Sequence, residues 1–380
     1  MERTNTSLSR RGFVRAAAGV AALSAATALS GSAFAANAAS SGKDAAKGSG
    51  KGSGSGKQVA IAASDDPSIV IDAQGNEVAV PEKLERVAIT CNGGATHEAV
   101  IFGGAERIVA EPSMEAFPQL LKMYPSLNDV VNGGSFDDVN VETIAAQAPD
   151  MVLCGVSSDK GNAKIREVGM STYVMLIGWA AVDTLKQEFL NVGHLFGNDE
   201  RAEELVGWWD DMMAKIAERV EKLPEEQRAR KVYYLGSPVI TKANTGDWGR
   251  VWVDTIGATF AVPEADLNGD VTVEKALGWN PDVIVIQGGK DITELTDDPT
   301  VQDIAAVKNG EVHSCPIGAF WWDRPSPEAP LGFLWLAQTV FPGYFDDIDL
   351  HQETVDFFKR FYNYDLPQEE YDSFFGDAAK

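Results

Sequence analysis

The feature that most constrains this chain is a repeated pattern on either side of one long helical segment. In residues 199–223 the apolar side chains recur three and four positions apart, which predicts a single amphipathic helix with one buried face. Before it, a Val-Asn-Val-Glu motif at 139–142 precedes Pro-Asp and an apolar run at 149–153. After it, a Val-Thr-Val-Glu motif at 271–274 precedes Pro-Asp and an apolar run at 281–286.

The repeat predicts two α/β lobes. The glutamate and the proline are seven residues apart in both copies, so the copies share spacing as well as composition. Each copy fits a short helix that ends before the proline, followed by a strand that is covered on both faces. At about 1.5 Å per residue the long helix extends about 37 Å, which is enough to cross two lobes. We therefore predict two Rossmann-like lobes joined by one long backbone helix, with the ligand cleft between them.

The amino-terminal residues predict export. Paired arginines at 10–11 precede an uncharged run at 16–34 and a small-x-small site at 33–35, a combination typical of a twin-arginine signal peptide. Residues 1–35 form this predicted signal, which is either cleaved or kept as a membrane anchor. Residues 36–57 are rich in glycine, serine and lysine and are predicted to be a flexible linker. The predicted destination is extracytoplasmic, at the cell surface or in the periplasm.

The rest of the chain divides into three predicted parts. Residues 58–182 form the N-terminal α/β lobe, residues 183–230 the connecting helices with the long one among them, and residues 231–380 the C-terminal α/β lobe with terminal helices. The chain carries 32 basic and 56 acidic residues, for a formal net charge of −24. Because such a surface repels phosphate backbones, we exclude nucleic acid as a partner, and we expect a monomer.

Metal chemistry is weakly indicated. Cys91, Cys154 and Cys315 form no C-x-x-C pair, so we interpret them as small buried apolar residues rather than ligands. Of four histidines only His97 lies beside a predicted cleft loop, which argues against a three-histidine cage. His97 remains a candidate lone ligand to haem iron or to a ferric complex, and the alternative is a hydrogen-bonded histidine at a helix start. We predict no resident cofactor.

The ligand is expected beyond the carboxyl ends of the strands, as in other two-lobed α/β proteins. Tryptophan is frequent in the loops at these ends, and an exposed tryptophan is costly unless a ligand covers it. Arginines in the same loops offer forked donors to anionic oxygens, although each is also able to form a surface ion pair. Trp252 is assigned to the core. The predicted ligand-binding residues are Asn92, Gly93, His97, Trp179, Trp248, Arg250, Trp321, Trp322 and Arg324.

Several of these features together resemble one family, the binding proteins that feed iron-siderophore, haem and cobalamin ABC importers. The resemblance rests on an Asp-Ala-Gln-Gly-Asn-Glu-Val-Ala-Val-Pro hairpin at 72–81, an Arg-Val-Ala-Ile-Thr start at 86–90, the paired Val-x-Val-Glu units and the long helix. It extends to Ser-Pro-Glu at 326–328 and Leu-Gly-Phe-Leu-Trp-Leu-Ala at 331–337.

The resemblance implies a rigid protein that captures a small-molecule metal chelate and delivers it to a permease dimer. It also implies that Glu142 and Glu274, one in each lobe, dock onto permease arginines. From the residues alone, both are first-turn glutamates that complement a helix dipole, and the two roles are compatible. The expected ligand is a ferric siderophore, then haem or a cobamide, then a molybdenum or tungsten oxyanion.

Two other classes of function were weighed. Doubly wound lobes also carry redox and other enzymes, but the sequence has no nucleophile elbow, no Walker loop and no G-x-G-x-x-G after a strand. We therefore predict that the protein is not an enzyme. A surface adhesin that uses the acidic face and the tryptophans is the second alternative, and it would tolerate changes at Glu142 and Glu274.

Overall fold

The computed structural model describes residues 59–92, 94–244, 246–267 and 270–376. The predicted signal peptide and linker, and Gly93 of the predicted site, lie outside the described residues. Within that part of the chain no helix combines the length and apolar composition needed to cross a membrane.

The N-terminal lobe is built on a five-stranded parallel sheet in the order β5-β4-β3-β8-β9. Two antiparallel hairpins, β1-β2 and β6-β7, flank it, and the first turns at Gly75, whose φ of +80° favours glycine. The strands are β1 Ile69–Ile71, β2 Glu77–Ala79, β3 Val87–Ile89, β4 Ile108–Glu111, β5 Val131–Asn132, β6 Gly134–Ser135, β7 Asp138–Val139, β8 Met151–Gly155 and β9 Thr172–Met175. The helices are α1 Ala95–Ile101, α2 Pro118–Met123, α3 Val141–Ala146, α4 Asp159–Glu167 and α5 Val182–Leu195.

One long helix, α6 Asp199–Lys222, connects this lobe to the next, as the repeat predicted. The C-terminal lobe has a four-stranded parallel sheet in the order β11-β10-β12-β13. Its strands are β10 Lys231–Leu235, β11 Thr259–Phe260, β12 Val283–Ile286 and β13 Val312–Ser314. The remaining helices are α7 Glu225–Arg228, α8 Asp247–Thr255, α9 Val273–Trp279, α10 Thr293–Thr296, α11 Ala305–Asn309, α12 Ala329–Val340, α13 Leu350–Phe361 and α14 Gln368–Ser373.

The two repeat copies take equivalent places. Each Val-x-Val-Glu motif starts a short helix, α3 or α9, and each Pro-Asp leads into a buried strand, β8 or β12. Each of these strands pairs with the first strand, in chain order, of its parallel sheet: β8 with β3 and β12 with β10. The prediction of two α/β lobes joined by a long helix is therefore confirmed.

The apolar face of α6 is buried between the lobes. It packs against α5 on the N-terminal side and against α12 on the C-terminal side. Trp209 is fully buried, with its ring 5.4 Å from that of Phe189 in α5. Its indole Nε1 donates a 3.0 Å hydrogen bond to the carbonyl of Pro327, just before α12. One side chain of the helix thus contacts both lobes.

A charge on this face should unfold the protein readily. We expect Met212→Asp to lower the free energy of unfolding by about 3 kcal/mol or more, because Met212 has no exposed surface and the new carboxylate would be unpaired. Ala217→Asp, on the exposed face of the same helix, is the matched control and should change stability little. Urea unfolding followed by circular dichroism measures both, and equal midpoints for the two variants would contradict the burial of this face.

Candidate functional site

In each lobe the order of the strands creates a crevice at their carboxyl ends. In the N-terminal sheet the chain leaves β3 and β8 toward opposite sides, and in the C-terminal sheet it does so after β10 and β12. Open parallel sheets bind ligands at such switch points. The candidate site is therefore formed by described residues of the loops at 90–92 and 156–158 and of those at 236–244 and 287–290, together with the loop at 317–324 that follows β13.

The N-terminal crevice presents polar atoms without partners. Asn92 follows β3, and its Oδ1 is buried and accepts no hydrogen bond from the described residues. Ser158 follows β8, is only 1% exposed, and its Oγ is likewise unpaired within the described part of the chain. Asn162 in α4 fixes the turn between β8 and α4, because its side-chain amide donates a 2.9 Å hydrogen bond to the carbonyl of Gly155. Buried polar atoms of this kind are available to a ligand.

The lobes approach each other closely at this point. A Cβ on Gly94 would lie 3.1 Å from the carbonyl oxygen of Pro325, and the φ of Gly94 is +97°, so both space and backbone favour glycine there. The loop that carries Asn92 is thereby adjacent to the segment that carries Arg324. Gly94 and Pro325 belong to different lobes and come together only in the folded protein.

Four rings close the interface beside this site, and we call them the aromatic wall: His97 and Phe117 from the N-terminal lobe, Phe320 and Trp321 from the C-terminal lobe. The ring centroids of His97 and Phe320 are 4.6 Å apart, and those of Phe117 and Trp321 are 4.7 Å apart. His97 Nε2 also lies 2.7 Å from the carbonyl oxygen of Ala319 and donates its proton to it. The wall thus joins the two lobes by ring contacts and by one hydrogen bond.

His97 lies in the aromatic wall rather than on an open face of the cleft. It is 1% exposed, its Nε2 is bonded to Ala319, and burial lowers its pKa to about 4, so it is a neutral histidine. Its Nδ1 is buried and has no hydrogen-bond partner among the described residues. The described residues contain no group of three or more His, Cys, Asp or Glu side chains that could hold a metal ion. The three cysteines are buried and free.

Two of the predicted cleft tryptophans also lie in the core. Trp322 is fully buried, and its Nε1 donates a 2.9 Å hydrogen bond to the carboxylate of Glu328. Trp248 is 3% exposed because it lies in the first turn of α8 and packs against Phe333, with ring centroids 5.6 Å apart. Trp252 is buried as expected. Only Trp179 and Trp321 of the predicted set are partly exposed, so the aromatic surface available to a ligand is smaller than the sequence indicated.

The two predicted arginines differ in their ion pairing. Arg324 lies with its guanidinium 5.8 Å from the centroid of the Tyr234 ring. Among the described residues it forms no direct ion pair, although the buried carboxylate of its neighbour Asp323 attracts it. That carboxylate accepts a 2.5 Å hydrogen bond from the Tyr234 hydroxyl. Arg250 is half-exposed and makes a loose 3.5 Å pair with Asp254 one turn along α8.

Helix α8 contacts the other lobe. Residues Ile177–Trp179 form a 3-10 turn after β9, and α8 packs against this turn. Ile177 has a φ of +54°, which is unusual for a β-branched residue and marks a strained backbone at the site.

Glu188, buried behind the turn, accepts a 2.6 Å hydrogen bond from the amide of Leu176. Burial raises the pKa of Glu188 to about 8, so this carboxyl is held largely protonated at neutral pH.

A cavity of about 920 Å³ borders the aromatic wall on the side of the terminal helix α14. It is lined by α2, by the segments after β12 and β13, and by α14. Glu370 of α14 accepts a 2.6 Å hydrogen bond from Lys122 and a 2.8 Å hydrogen bond from Gln119, both in α2. Sequence reasoning did not assign α14 to the interface between the lobes. No local pattern gives such a contact, because the partners are about 250 residues apart.

Sequence reasoning also missed Glu111. It ends β4, is 2% exposed and accepts a 2.7 Å hydrogen bond from the hydroxyl of Thr96. Burial raises its pKa to about 7, opposed by that hydrogen bond. The available signal was a glutamate directly after a buried strand, at the edge where the loops of the site begin.

Glu142 and Glu274 occupy matching positions on the surface. Both are exposed, and each lies in the first turn of its helix, α3 or α9. Asn140 caps α3 by accepting from the amide of Thr143 at 3.0 Å, and Thr272 caps α9 by accepting from the amide of Lys275 at 3.3 Å. Hydrogen bonds from its own backbone and from Thr272 lower the pKa of Glu274. Each lobe therefore presents an exposed carboxylate in the first turn of a capped helix.

Comparison with known proteins gives a consistent picture. A family model described as "Periplasmic binding protein" matches residues 89–317. The molybdate-binding protein MolA of Haemophilus influenzae is 24% identical over 321 residues, which cover 77% of this chain and 90% of that protein. The structure of MolA with bound molybdate covers 79% of this chain and 99% of its own, with a TM-score of 0.69 and 23% identity. A cobalamin-binding protein of Halobacterium salinarum is 23% identical over 246 residues, 63% of each chain.

The burial of His97 predicts a definite dependence of stability on pH. The unfolded chain takes up a proton at the ordinary pKa of 6.5, whereas the folded protein does so only near 4, so stability from this residue is present above pH 6.5 and is lost as the pH falls toward 4. Across this range we expect the wild type to lose about 3 kcal/mol relative to His97→Gln, which keeps a donor for Ala319. Denaturant unfolding at several pH values measures the difference, and parallel pH profiles for the two proteins would contradict the prediction.

Proposed function

The chain belongs to the periplasmic binding protein family and is a solute-binding protein of an ABC importer; we propose that its solute is a small anion, first of all an oxyanion of the molybdate class. The observation that carries this proposal is Arg324, a cation in the cleft that has no direct carboxylate partner among the described residues. In a protein with a net charge of −24, a guanidinium left without an ion pair in a binding crevice favours an anionic ligand.

The polar groups around Arg324 support a compact ligand. The unpaired Oγ of Ser158 is able to donate a hydrogen bond to an oxyanion, and Asn92 is able to turn its amide group toward one. Both lie on the N-terminal side of the crevice, opposite the arginine. A tetrahedral oxyanion needs donors from several directions at short range, and the close approach of Gly94 to Pro325 brings the two sides together.

The burial of Trp248 and Trp322 removes most of the argument for a broad, flat ligand. Aromatic rings would have to be exposed to cover a large chelate, and these two rings are enclosed by the protein itself. The similarity to MolA supports the same choice, since that protein is described as binding molybdate and is similar over most of both chains.

A metal chelate is the second candidate. Trp179 and Trp321 are partly exposed, and together with the half-exposed Arg250 they would suit an anionic ferric siderophore or a cobamide. The similarity to a cobalamin-binding protein supports this alternative. The protein purified from its own host decides between the two, because bound molybdenum or tungsten, a Soret band, or iron with a visible charge-transfer band each identifies one class.

Arg324 provides the direct test of the anion. We expect Arg324→Gln to weaken the binding of molybdate or tungstate by about tenfold to a hundredfold, because the amide keeps a hydrogen-bond donor but removes the charge. Isothermal titration calorimetry measures the affinity. Arg166→Gln is the matched control, because Arg166 is exposed and donates a hydrogen bond to Thr172. Thr172 lies at the amino end of β9, whereas the candidate site lies at the carboxyl ends of the strands. If Arg324→Gln binds the anion as tightly as the wild type, Arg324 is not part of the site.

We propose further that Glu142 and Glu274 dock the protein onto its permease dimer. Their support is the matching geometry, with one exposed and capped first-turn glutamate on each lobe. The paired arginines and uncharged run in residues 1–35 support delivery to an extracytoplasmic location by the twin-arginine route.

Removing both carboxylates separates docking from binding. We expect Glu142→Ala with Glu274→Ala to reduce ligand uptake by cells at least about tenfold while the affinity of the purified protein stays unchanged, because both residues are exposed and lie in the repeat helices rather than in the cleft loops. Glu77→Ala with Glu226→Ala, also exposed, is the matched control. Uptake at the parental rate by the first variant would exclude the docking role and favour an adhesin.

A further inference from the structure

Glu328 is a buried carboxylate that accepts hydrogen bonds from three groups in two separate parts of the chain, the loop at 317–324 and helix α13 with the residue that follows it. One oxygen, Oε2, accepts from the amide of Ala319 at 3.2 Å and from Nε1 of Trp322 at 2.9 Å. The other, Oε1, accepts from the hydroxyl of Tyr362 at 2.7 Å. Glu328 itself has no exposed surface. Such a fully bonded buried carboxylate fixes the groups that donate to it.

Close packing adds to the hydrogen bonds. A Cβ on Gly318 would lie 2.2 Å from Oε2 of Glu328, and a Cβ on Gly332 would lie 2.0 Å from the carbonyl oxygen of Trp322. Glu328 caps α12 and Gly332 follows one turn later, so both face the same loop. The loop at 317–324 is therefore held against the start of α12 at two points.

The loop that Glu328 holds carries the groups that face the other lobe. Ala319 accepts from His97, Phe320 and Trp321 belong to the aromatic wall, and Arg324 follows as the cation of the site. Trp322 points the opposite way, into the core, because its indole is bonded to Glu328. Trp321 and Trp322, adjacent in sequence, thus differ in their surroundings, and Glu328 bonds the fully buried one.

We propose that Glu328 is a positioning residue for the ligand site: it touches no ligand, but it sets the conformation of the loop at 317–324 so that Trp321 and Arg324 face the cleft. The proposal rests on the proposed function for its effect on affinity. Its effect on the loop itself does not depend on which solute the protein carries.

The surroundings of Glu328 leave it as the group that titrates near neutrality. Burial raises the pKa of Glu328 to about 7, against the hydrogen bonds from Tyr362, Trp322 and Ala319. Tyr362 in α13 faces it directly and Tyr124 packs behind Tyr362, with ring centroids 6.4 Å apart. Burial raises the pKa of Tyr362 well above its ordinary value and that of Tyr124 to about 12. Both phenols therefore remain neutral over the pH range in which Glu328 changes charge.

The experiment compares two substitutions in the full-length protein. Glu328→Gln keeps an acceptor for Ala319 and Trp322 and turns its amide group toward the Tyr362 oxygen, so the loop should be preserved. Glu328→Leu fills the space but leaves three donors without an acceptor. Val340→Ala, at the far end of α12 and fully buried, is the matched control for general destabilisation.

The first readout is the loop itself. In protein labelled with 5-fluorotryptophan, with the Trp321 resonance assigned by Trp321→Phe, we expect that resonance to shift or broaden in Glu328→Leu and to stay in place in Glu328→Gln and Val340→Ala. The Trp322 indole N–H resonance should titrate near pH 7 in the wild type and lose this titration in Glu328→Gln. A Trp321 resonance that is unchanged in folded Glu328→Leu would overturn the proposal.

The second readout is ligand affinity, measured by calorimetry with molybdate and with tungstate. We expect a loss of about tenfold or more in Glu328→Leu and a change below about threefold in Glu328→Gln. Equal losses in Glu328→Gln and Glu328→Leu would also overturn the positioning role. If the wild type binds neither anion, the proposed solute is wrong, while the fluorine resonance still decides the role of Glu328. If Glu328→Leu fails to fold, Gly318→Ala, which crowds the same carboxylate, replaces it in both measurements.

Discussion

The burial of α6 between two lobes is the constraint on which the rest of this structure depends. A helix of 24 residues with one apolar face is stable only if that face is covered along its whole length, and here α5 and α12 cover it from opposite sides. Trp209 makes the arrangement specific, because its ring packs on the N-terminal lobe while its indole N–H is bonded to Pro327 before α12. The relation between the lobes, and hence the shape of the cleft, follows from this packing.

A second set of contacts fixes the lobes at the level of the cleft. The aromatic wall closes one part of the interface, and Glu370 of α14 joins α2 across another. Together with α6, these contacts join the two lobes at more than one place.

The site uses charge in a way that the overall composition does not show. The surface is strongly acidic, yet the carboxyl groups near the cleft, Glu111, Glu188 and Glu328, are buried, and burial raises their pKa values toward or above neutrality. Carboxyl groups that are partly protonated repel an approaching anion less than exposed carboxylates would. Arg324, which is attracted by the buried Asp323 but forms no direct ion pair among the described residues, is then the positive charge at the point where the lobes meet, and this is the electrostatic reason for proposing an anionic solute.

The sequence by itself determined the architecture. Apolar periodicity in 199–223 and the repeated Val-x-Val-Glu and Pro-Asp units specify local structure, and local structure is what periodicity and proline report. The first-turn positions of Glu142 and Glu274 could also be predicted from the sequence, because a glutamate shortly after a helix-capping residue is a local pattern. The assignment of Trp252 to the core came from its helical surroundings and was confirmed.

Only the tertiary structure decided which side chains of the cleft loops face a ligand. Trp321 and Trp322 are neighbours in sequence, but one joins the aromatic wall and the other is buried on Glu328. His97 is committed to Ala319, 222 residues away, and Glu370 to a helix of the other lobe. The direction of a loop side chain depends on partners brought together by folding, and no periodicity encodes such partners. The sequence therefore predicts the loops of the candidate site, while the packing of the two lobes decides which of their side chains are buried.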